Sequence, residues 1–294
     1  MHAPPHRTIA MTKEVVYLRN EQMKRTNSST MSIPPILSNK HHKHPSVFTP
    51  ENLLREARRQ KSLQRHNVPD VCILDPDGDI VRRLVAERRA EQDSNWACYH
   101  TDLYKFNEQD IGFGIIGCAV GASFAVLVAE ELFASGCKLL ISVTSAGQIV
   151  EVGDPPYFVL IDRALRDEGT SYHYLPPADF SHISPQLLAM LDGVFEETTP
   201  KVYRGATWTT DAPFRETETA IEHCRNLGIM GVEMEAAGLY AFSEARQKPI
   251  VCLAHVTNRM ARIKGDFEKG IASGSRDALQ VITLTATAWM RGER

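Results

Sequence analysis

The stretch "GIMGVEMEAAGLYAF", residues 228–242, decides how the chain is read. Two acids, Glu233 and Glu235, stand among Val, Met, Ala, Leu and Tyr, where an unpaired carboxylate is costly. In a helix, residues two apart point about 200° away from each other, whereas in an extended stretch they share a face. The pattern predicts extended backbone over residues 232–235 that turns helical at "AAGLYAF". Both acids then lie at a strand-to-helix transition. A carboxylate there can satisfy itself on the helix N-terminus or accept the vicinal hydroxyls of a sugar. The residues alone leave both options open.

Outward from this segment, short apolar runs alternate with helical periodicity. "TPENLLREARRQKSLQRH" opens on Thr49 and Pro50, an N-cap followed by a first turn, and continues as an amphipathic helix. "VPDVCIL" predicts a strand leading into "DPDGD", and a helix follows over residues 80–90. "DIGFGIIGCAVGASFAVLVAEELFASG" predicts a strand, a glycine-rich turn and a helix; "KLLISVTSAGQI" predicts a buried strand. "YFVLIDRAL", "KVYRGATWTT" and "IVCLAHVTN" predict further strands, and "PQLLAMLDGVF" and residues 276–290 predict helices. This alternation implies an α/β fold, a single domain with a mixed central β-sheet flanked by helices. Residues 1–45, rich in Pro, Ser, Thr, Asn, His and basic residues, predict a flexible N-terminal extension. The domain occupies residues 46–294.

Bulk properties exclude several classes. A net charge of −3 gives no electrostatic support to a nucleic-acid partner. The six cysteines are scattered without a C-x-x-C pair, which predicts reduced thiols in a cytoplasmic protein. Residues 111–129 carry no charge over a length that could span a bilayer. Four glycines and the following Glu130 and Glu131 make strand, turn and helix the better reading, so no membrane partner is expected. "KHHKH", residues 40–44, reads as a solvated basic tail rather than a metal site, and no metal is expected.

Chemistry-bearing turns lie at the ends of the strands, where open α/β sheets gather ligands. "GDIVR" offers Gly78, whose backbone can approach an anion closely, and Arg82, which can fork two oxyanion oxygens. A surface turn with a solvated Arg fits equally. "GCAVGAS" over residues 117–123 lacks both the dinucleotide and the nucleotide P-loop patterns, and close strand–helix packing accounts for its small residues. "SVTSAGQ" gathers Ser142, Thr144 and Ser145 at a strand end. "WTTDAPFRET" contributes an aromatic, an acid and Arg215.

Taken in order, these motifs resemble the nucleoside phosphorylase superfamily: the purine and uridine phosphorylases, with uridine phosphorylase-like members nearest, and their nucleosidase relatives. "VEMEAAGLY" resembles the ribose-binding segment and "GDIVR" the first phosphate loop. "SVTSAG" sits where the second phosphate loop belongs, and "HVTNR" sits at the catalytic turn. "GDPPYFVLIDRALRDEGTSYHYLPP" matches the block between them, and the resemblance covers roughly residues 71–291. It implies that Glu235 accepts the ribose 2′- and 3′-hydroxyls and that Met234 packs against the sugar. Gly78, Arg82 and Ser145 would hold phosphate. Asn258 would meet the leaving base, while Glu233, Arg215 and Arg259 would help to bind substrate. No cofactor is implied beyond phosphate as co-substrate. The implied assembly is a homo-oligomer, a dimer or a trimer of dimers.

Departures from the family pattern are specific. Ser142 stands where the phosphorylases carry an Arg in the second phosphate loop, and the loss of a forked Arg–phosphate pair removes about 1.5–3 kcal/mol of binding. An Arg donated across the subunit interface aligns near Asn95, with Arg88 and Arg89 close by. "SAG" is similar to the nucleosidases, which use water. Asn258 replaces the Asp of the purine enzymes and resembles the "NR" of the uridine enzymes, which points to a pyrimidine base. The expected activity is phosphorolysis of a nucleoside. The alternatives are hydrolysis of the same bond and a nucleoside-binding protein with little turnover.

Overall fold

The computed structural model describes residues 33–260 and 264–292. Of the extension expected over residues 1–45, residues 1–32 lie outside that range. The chain divides into two compact units, residues 1–40 and residues 41–294. The elements of the second unit are α1 (Pro50–Lys61), β1 (Val71–Asp75), α2 (Asp79–Ala86), β2 (Glu91–Gln92), β3 (Tyr104–Glu108), β4 (Ile111–Gly117) and α3 (Ala122–Ala134). There follow β5 (Leu139–Gln148), β6 (Tyr157–Asp167), α4 (Ser171–Tyr174), β7 (Phe180–His182), α5 (Pro185–Met190) and β8 (Val202–Thr210). The chain continues through α6 (Glu218–Asn226), β9 (Gly231–Glu233), α7 (Ala236–Arg246), β10 (Ile250–Asn258) and α8 (Ser275–Gly292).

One mixed sheet carries these strands, as the alternating pattern predicts. β5 is its axis. Its residues Leu139 to Ser142 pair with β1, Leu140 to Gly147 pair with β10, and Gly147 and Gln148 pair with β9. Pairing of β10 with β6, β6 with β8, and β8 with β9 then returns to β5 and closes a five-stranded ring. Closure removes free edges from that part of the sheet. β4, β3 and β2 extend it beyond β1. β1, β4, β5 and β10 run parallel, so their C-terminal ends open on one side.

Sequence accounts for several element ends. α1 starts where the Thr49 hydroxyl accepts the Asn52 amide, with Pro50 in the first turn, and stops at Ser62 in a left-handed conformation (φ 56°). α2 ends at Ala86, four residues before the expected limit, because Arg88 adopts φ 56° and breaks the helical run. α5 likewise stops at Met190 and gives way to a turn containing Gly193 (φ 71°). α3 and α7 are buried on most of their surface and cross closely. A Cβ on Gly238 would lie 2.8 Å from the Ala122 Cβ, so glycine sets that approach. Tyr240, fully buried in α7, donates to the Ile161 carbonyl (2.6 Å) and accepts the Cys252 amide (3.0 Å), tying the helix to β6 and β10. Among the described residues no helix is long and apolar enough to cross a membrane.

Candidate active site

The two opening acids are separated by function of position. β9 ends at Glu233 and α7 begins at Ala236, leaving Glu235 at the helix N-cap (φ −126°, ψ −38°). Glu233 is buried, and its Oε2 accepts the amides of Glu235 and Ala236, both at 2.7 Å. Its Oε1 accepts the Thr207 hydroxyl (3.1 Å) and the Thr209 hydroxyl from β8. Those four donors match a carboxylate's four acceptor sites, so Glu233 clamps the helix start and offers no lone pair to a ligand. Thr209 also accepts the Ala237 amide at 2.9 Å, which extends the clamp into the first turn.

Glu235 is only 1% exposed and is tied less fully. Its Oε1 accepts the Gly121 amide at 2.7 Å, its Oε2 receives the Met234 amide at 3.3 Å, and the Thr144 hydroxyl also bonds it. Burial, and then the negative charge of Glu233, push its carboxyl up to about 7. The acid therefore sits where β5, the turn before α3 and the start of α7 converge.

One residue beyond Thr144, the Ser145 hydroxyl donates to Asp77 Oδ1 at 2.9 Å and so joins β5 to the turn after β1. Asp75 shapes that turn by accepting the amides of Gly78 (3.1 Å) and Val81 (3.0 Å), and burial pushes its carboxyl up to about 6. Gly78 adopts φ 74°, and a Cβ there would fall 2.6 Å from Arg82 Nη1 and 2.7 Å from Cys118 Sγ. Gly78 thus provides clearance for Arg82, while its own amide is engaged by Asp75. Arg82 Nη2 donates to the Asp77 carbonyl (2.7 Å) and to Asp79 Oδ1 (2.6 Å).

A second cation enters from the segment after β10: Lys269 Nζ lies 2.5 Å from Asp77 Oδ2 and 2.6 Å from Asp79 Oδ2. Two cations and two carboxylates thereby share the loop. Behind them a cavity of about 20 Å³ lies among Asp75, Asp77, Asp79, Thr144, Ser145 and His255, room for a single water. His255 stacks on Phe158 with ring centroids 4.5 Å apart, and its buried Nε2 has no hydrogen-bond partner among the described residues. Burial lowers its pKa to about 4, so the ring is neutral.

Asn258 closes β10 opposite Gly147. Its Oδ1 accepts the Met260 amide (2.8 Å) and its Nδ2 donates to the Thr257 hydroxyl (3.1 Å), leaving one N–H to donate. A Cβ on Gly147 would meet Met260 Sδ at 2.6 Å and Asn258 Oδ1 at 3.4 Å, so the glycine seats this turn on β5. Arg259 is half exposed, pairs with Asp154, and lines a hollow of about 270 Å³ with Gln148, Ile149 and Arg225. Arg215 is exposed in the single turn Pro213–Arg215 and has no ion-pair partner among the described residues.

The substituted positions resolve differently. Ser142 is buried in β5 between Leu74 of β1 and Cys252 of β10, and its hydroxyl has no hydrogen-bond partner among the described residues. Asn95 is exposed and its amide caps Asp93 (3.0 Å); Arg89 pairs with Glu87 and Glu108. Asp75, Asp77, His255 and Lys269 were not singled out from the sequence, and Thr144 and Gly121 were noted only as part of their turns. Asp75 and Asp77 lie in the quoted "DPDGD" and Thr144 in "SVTSAGQ", so a polar turn beside a glycine was the available signal. Lys269 gave none, because the fold brings it in from 192 positions away. Among the described residues no group of three His, Cys, Asp or Glu is arranged to hold a metal ion.

A closed five-stranded ring within a mixed sheet, with a buried acid at a helix start near a glycine turn that carries Arg82, defines the class of α/β fold. The chain belongs to the phosphorylase superfamily, whose family model matches residues 97–286. It is 26% identical over 168 residues to the guanosine phosphorylase of Halorubrum lacusprofundi, covering 56% of this chain and 64% of that protein's length. Its fold is similar to that of uridine phosphorylase from Vibrio fischeri ES114, with TM-score 0.57 and 20% identity over 85% of this chain and 95% of that one. It is also similar to purine nucleoside phosphorylase from Toxoplasma gondii in complex with immucillin-H, with TM-score 0.65 and 17% identity over 80% and 96% of the two chains.

Proposed function

We propose that the chain cleaves the N-glycosidic bond of a nucleoside with phosphate, releasing free base and ribose 1-phosphate. The observation that carries this reading is Glu235, a buried carboxylate bonded to Gly121 and Thr144, one residue from the Ser145 that touches the Arg82 loop. Ionised, Glu235 accepts the ribose 2′- and 3′-hydroxyls while Met234 packs against the sugar. Arg82 and Ser145 hold phosphate. A phosphate oxygen forms a bond to C1′ as the C1′–N bond breaks, and the electron pair passes to the base. The remaining N–H of Asn258 donates to that developing charge rather than protonating it, which suits the carbonyls of a pyrimidine. The chain's own contribution is positioning and charge stabilisation, with no cofactor beyond phosphate. Arg215 and Arg259 act as outlying substrate contacts, and the protein works as a cytoplasmic homo-oligomer.

Hydrolysis is the second reading, and two observations favour it: Ser142 is buried in the place of an anion-binding Arg, and the cavity beside Ser145 fits one water. A panel of purine and pyrimidine nucleosides, incubated with and without phosphate while free base is followed, separates the two. Phosphate-dependent release from pyrimidine nucleosides is expected. Release that ignores phosphate replaces this reading with hydrolysis, and binding without release replaces both.

A further inference from the structure

The loop at Asp77 and Asp79 holds more charge than its shape requires. Asp75 already fixes the turn through two backbone amides. Asp77 and Asp79 instead orient cations: Asp79 accepts Arg82 through Oδ1 and Lys269 through Oδ2, and Asp77 accepts Ser145 and Lys269. An ammonium has three N–H donors, and two of those on Lys269 are accounted for, leaving one. The guanidinium of Arg82 makes two close bonds through Nη2, at 2.7 and 2.6 Å, and a longer one from Nη1 to Cys118 Sγ at 3.9 Å, which leaves two N–H groups with donor capacity. The side chain of Lys269 is 22% exposed, so it is neither sealed in the core nor free in solvent.

Lys269 is also held there deliberately by the backbone. It is followed by Gly270 (φ 86°), Ala272 (φ 52°), Ser273 (φ 54°) and Gly274 (φ 74°), a run of left-handed conformations that non-glycine residues adopt rarely. A Cβ on Gly274 would fall 2.2 Å from His255 Cε1 and 2.6 Å from the Lys269 carbonyl, so the segment doubles back hard against β10. Strain of this kind persists where the surroundings over-determine it, and the two ion pairs of Lys269 are part of those surroundings.

We propose that Lys269 is a phosphate-binding residue, supplying with Arg82 the second cation that the buried Ser142 cannot supply. This assignment rests on the phosphorolytic reading above. Asp77 and Asp79 serve as internal counter-ions that hold both cations in place before phosphate arrives. With Asp75, Asp77 and Asp79 against Arg82 and Lys269, the loop carries about one net negative charge at neutral pH, and a dianion entering it meets donors that the carboxylates already hold in place. Phosphate binding is weak and salt-sensitive as a result.

The test is Lys269→Gln, with Lys269→Arg as the conservative control, measured by steady-state kinetics in both substrates and by calorimetric titration with inorganic phosphate. Loss of a charge-assisted hydrogen bond raises the phosphate KM about tenfold or more in Lys269→Gln and leaves the nucleoside KM within about twofold. Lys269→Arg recovers most of the phosphate affinity. Equal shifts in both KM values, or a fall in kcat alone, mean that Lys269 only pins the segment, and overturn the proposal. If base release by the unmodified protein ignores phosphate, the phosphorolytic reading fails and the titration decides alone. Phosphate binding that is lost in Lys269→Gln still supports the site, and no phosphate binding to the unmodified protein overturns it.

Discussion

Replacing Glu235 by Gln should cost activity far more than stability at pH 8. The folded state raises this carboxyl from an ordinary 4.5 to about 7 through burial and the facing Glu233. Between those values the native protein holds a proton that the unfolded chain has released, so stability falls as pH rises through the window. It levels off above about 7. The shift of roughly 2.5 units sets a ceiling of about 3 kcal/mol at pH 8, shared with Glu233. A neutral Gln removes that penalty but turns its NH2 toward the Gly121 or Met234 amide, a mismatch of about 1–3 kcal/mol, so Glu235→Gln should unfold within a few degrees of the parent at pH 8. Near pH 5 the penalty is largely gone and the variant should be the less stable of the two. Activity should fall, because Gln keeps one acceptor and turns the other into a donor facing a ribose hydroxyl. Loss of one charged hydrogen bond with one mismatch amounts to about 2–4 kcal/mol, or roughly 30- to 1000-fold in kcat/KM. Thermal unfolding at the two pH values and base-release kinetics on the same sample are the assay. A Gln variant that loses stability yet keeps full turnover would refute the reasoning and reduce Glu235 to a helix cap.

Three further outcomes follow from the same geometry. At saturating phosphate, kcat/KM for the nucleoside should rise about tenfold per pH unit below about 7 as Glu235 ionises in the free enzyme, and a flat profile between pH 5.5 and 7 would contradict its role. Glu233→Ala should cost about 2–4 kcal/mol in urea or thermal unfolding, since it strands the amides of Glu235 and Ala236 without acceptors. Gly78→Ala places a methyl 2.6 Å from Arg82 Nη1 on a residue with φ 74°, so it should raise the phosphate KM far more than the nucleoside KM and destabilise by about 1 kcal/mol.

Local pattern and long-range closure were not equally legible in the chain. The passage from β9 to α7 was readable because two acids in an apolar run can share a face only in extended backbone. β5 was readable because an uncharged apolar run ending in small hydroxyl residues fits a strand buried on both faces. Which acid does what was not readable, since the donors that occupy Glu233 come from Thr207 and Thr209 on β8. Ring closure through β10, β6, β8 and β9 is a matter of long-range pairing that no local period encodes. The place of Ser142 was visible, but its burial between β1 and β10 depends on register. Lys269 stood in a polar loop like any solvated lysine, and tertiary approach alone brings it to Asp77.

The chain belongs to the phosphorylase superfamily, and we propose phosphate, held by Arg82 and Ser145, as the attacking group. The most direct measurement is the product balance of the unmodified protein given a pyrimidine nucleoside and inorganic phosphate, with sugar products resolved by phosphorus NMR. One ribose 1-phosphate formed for each free base is the predicted result. Free ribose without ribose 1-phosphate, or no base released from any nucleoside, would contradict the account.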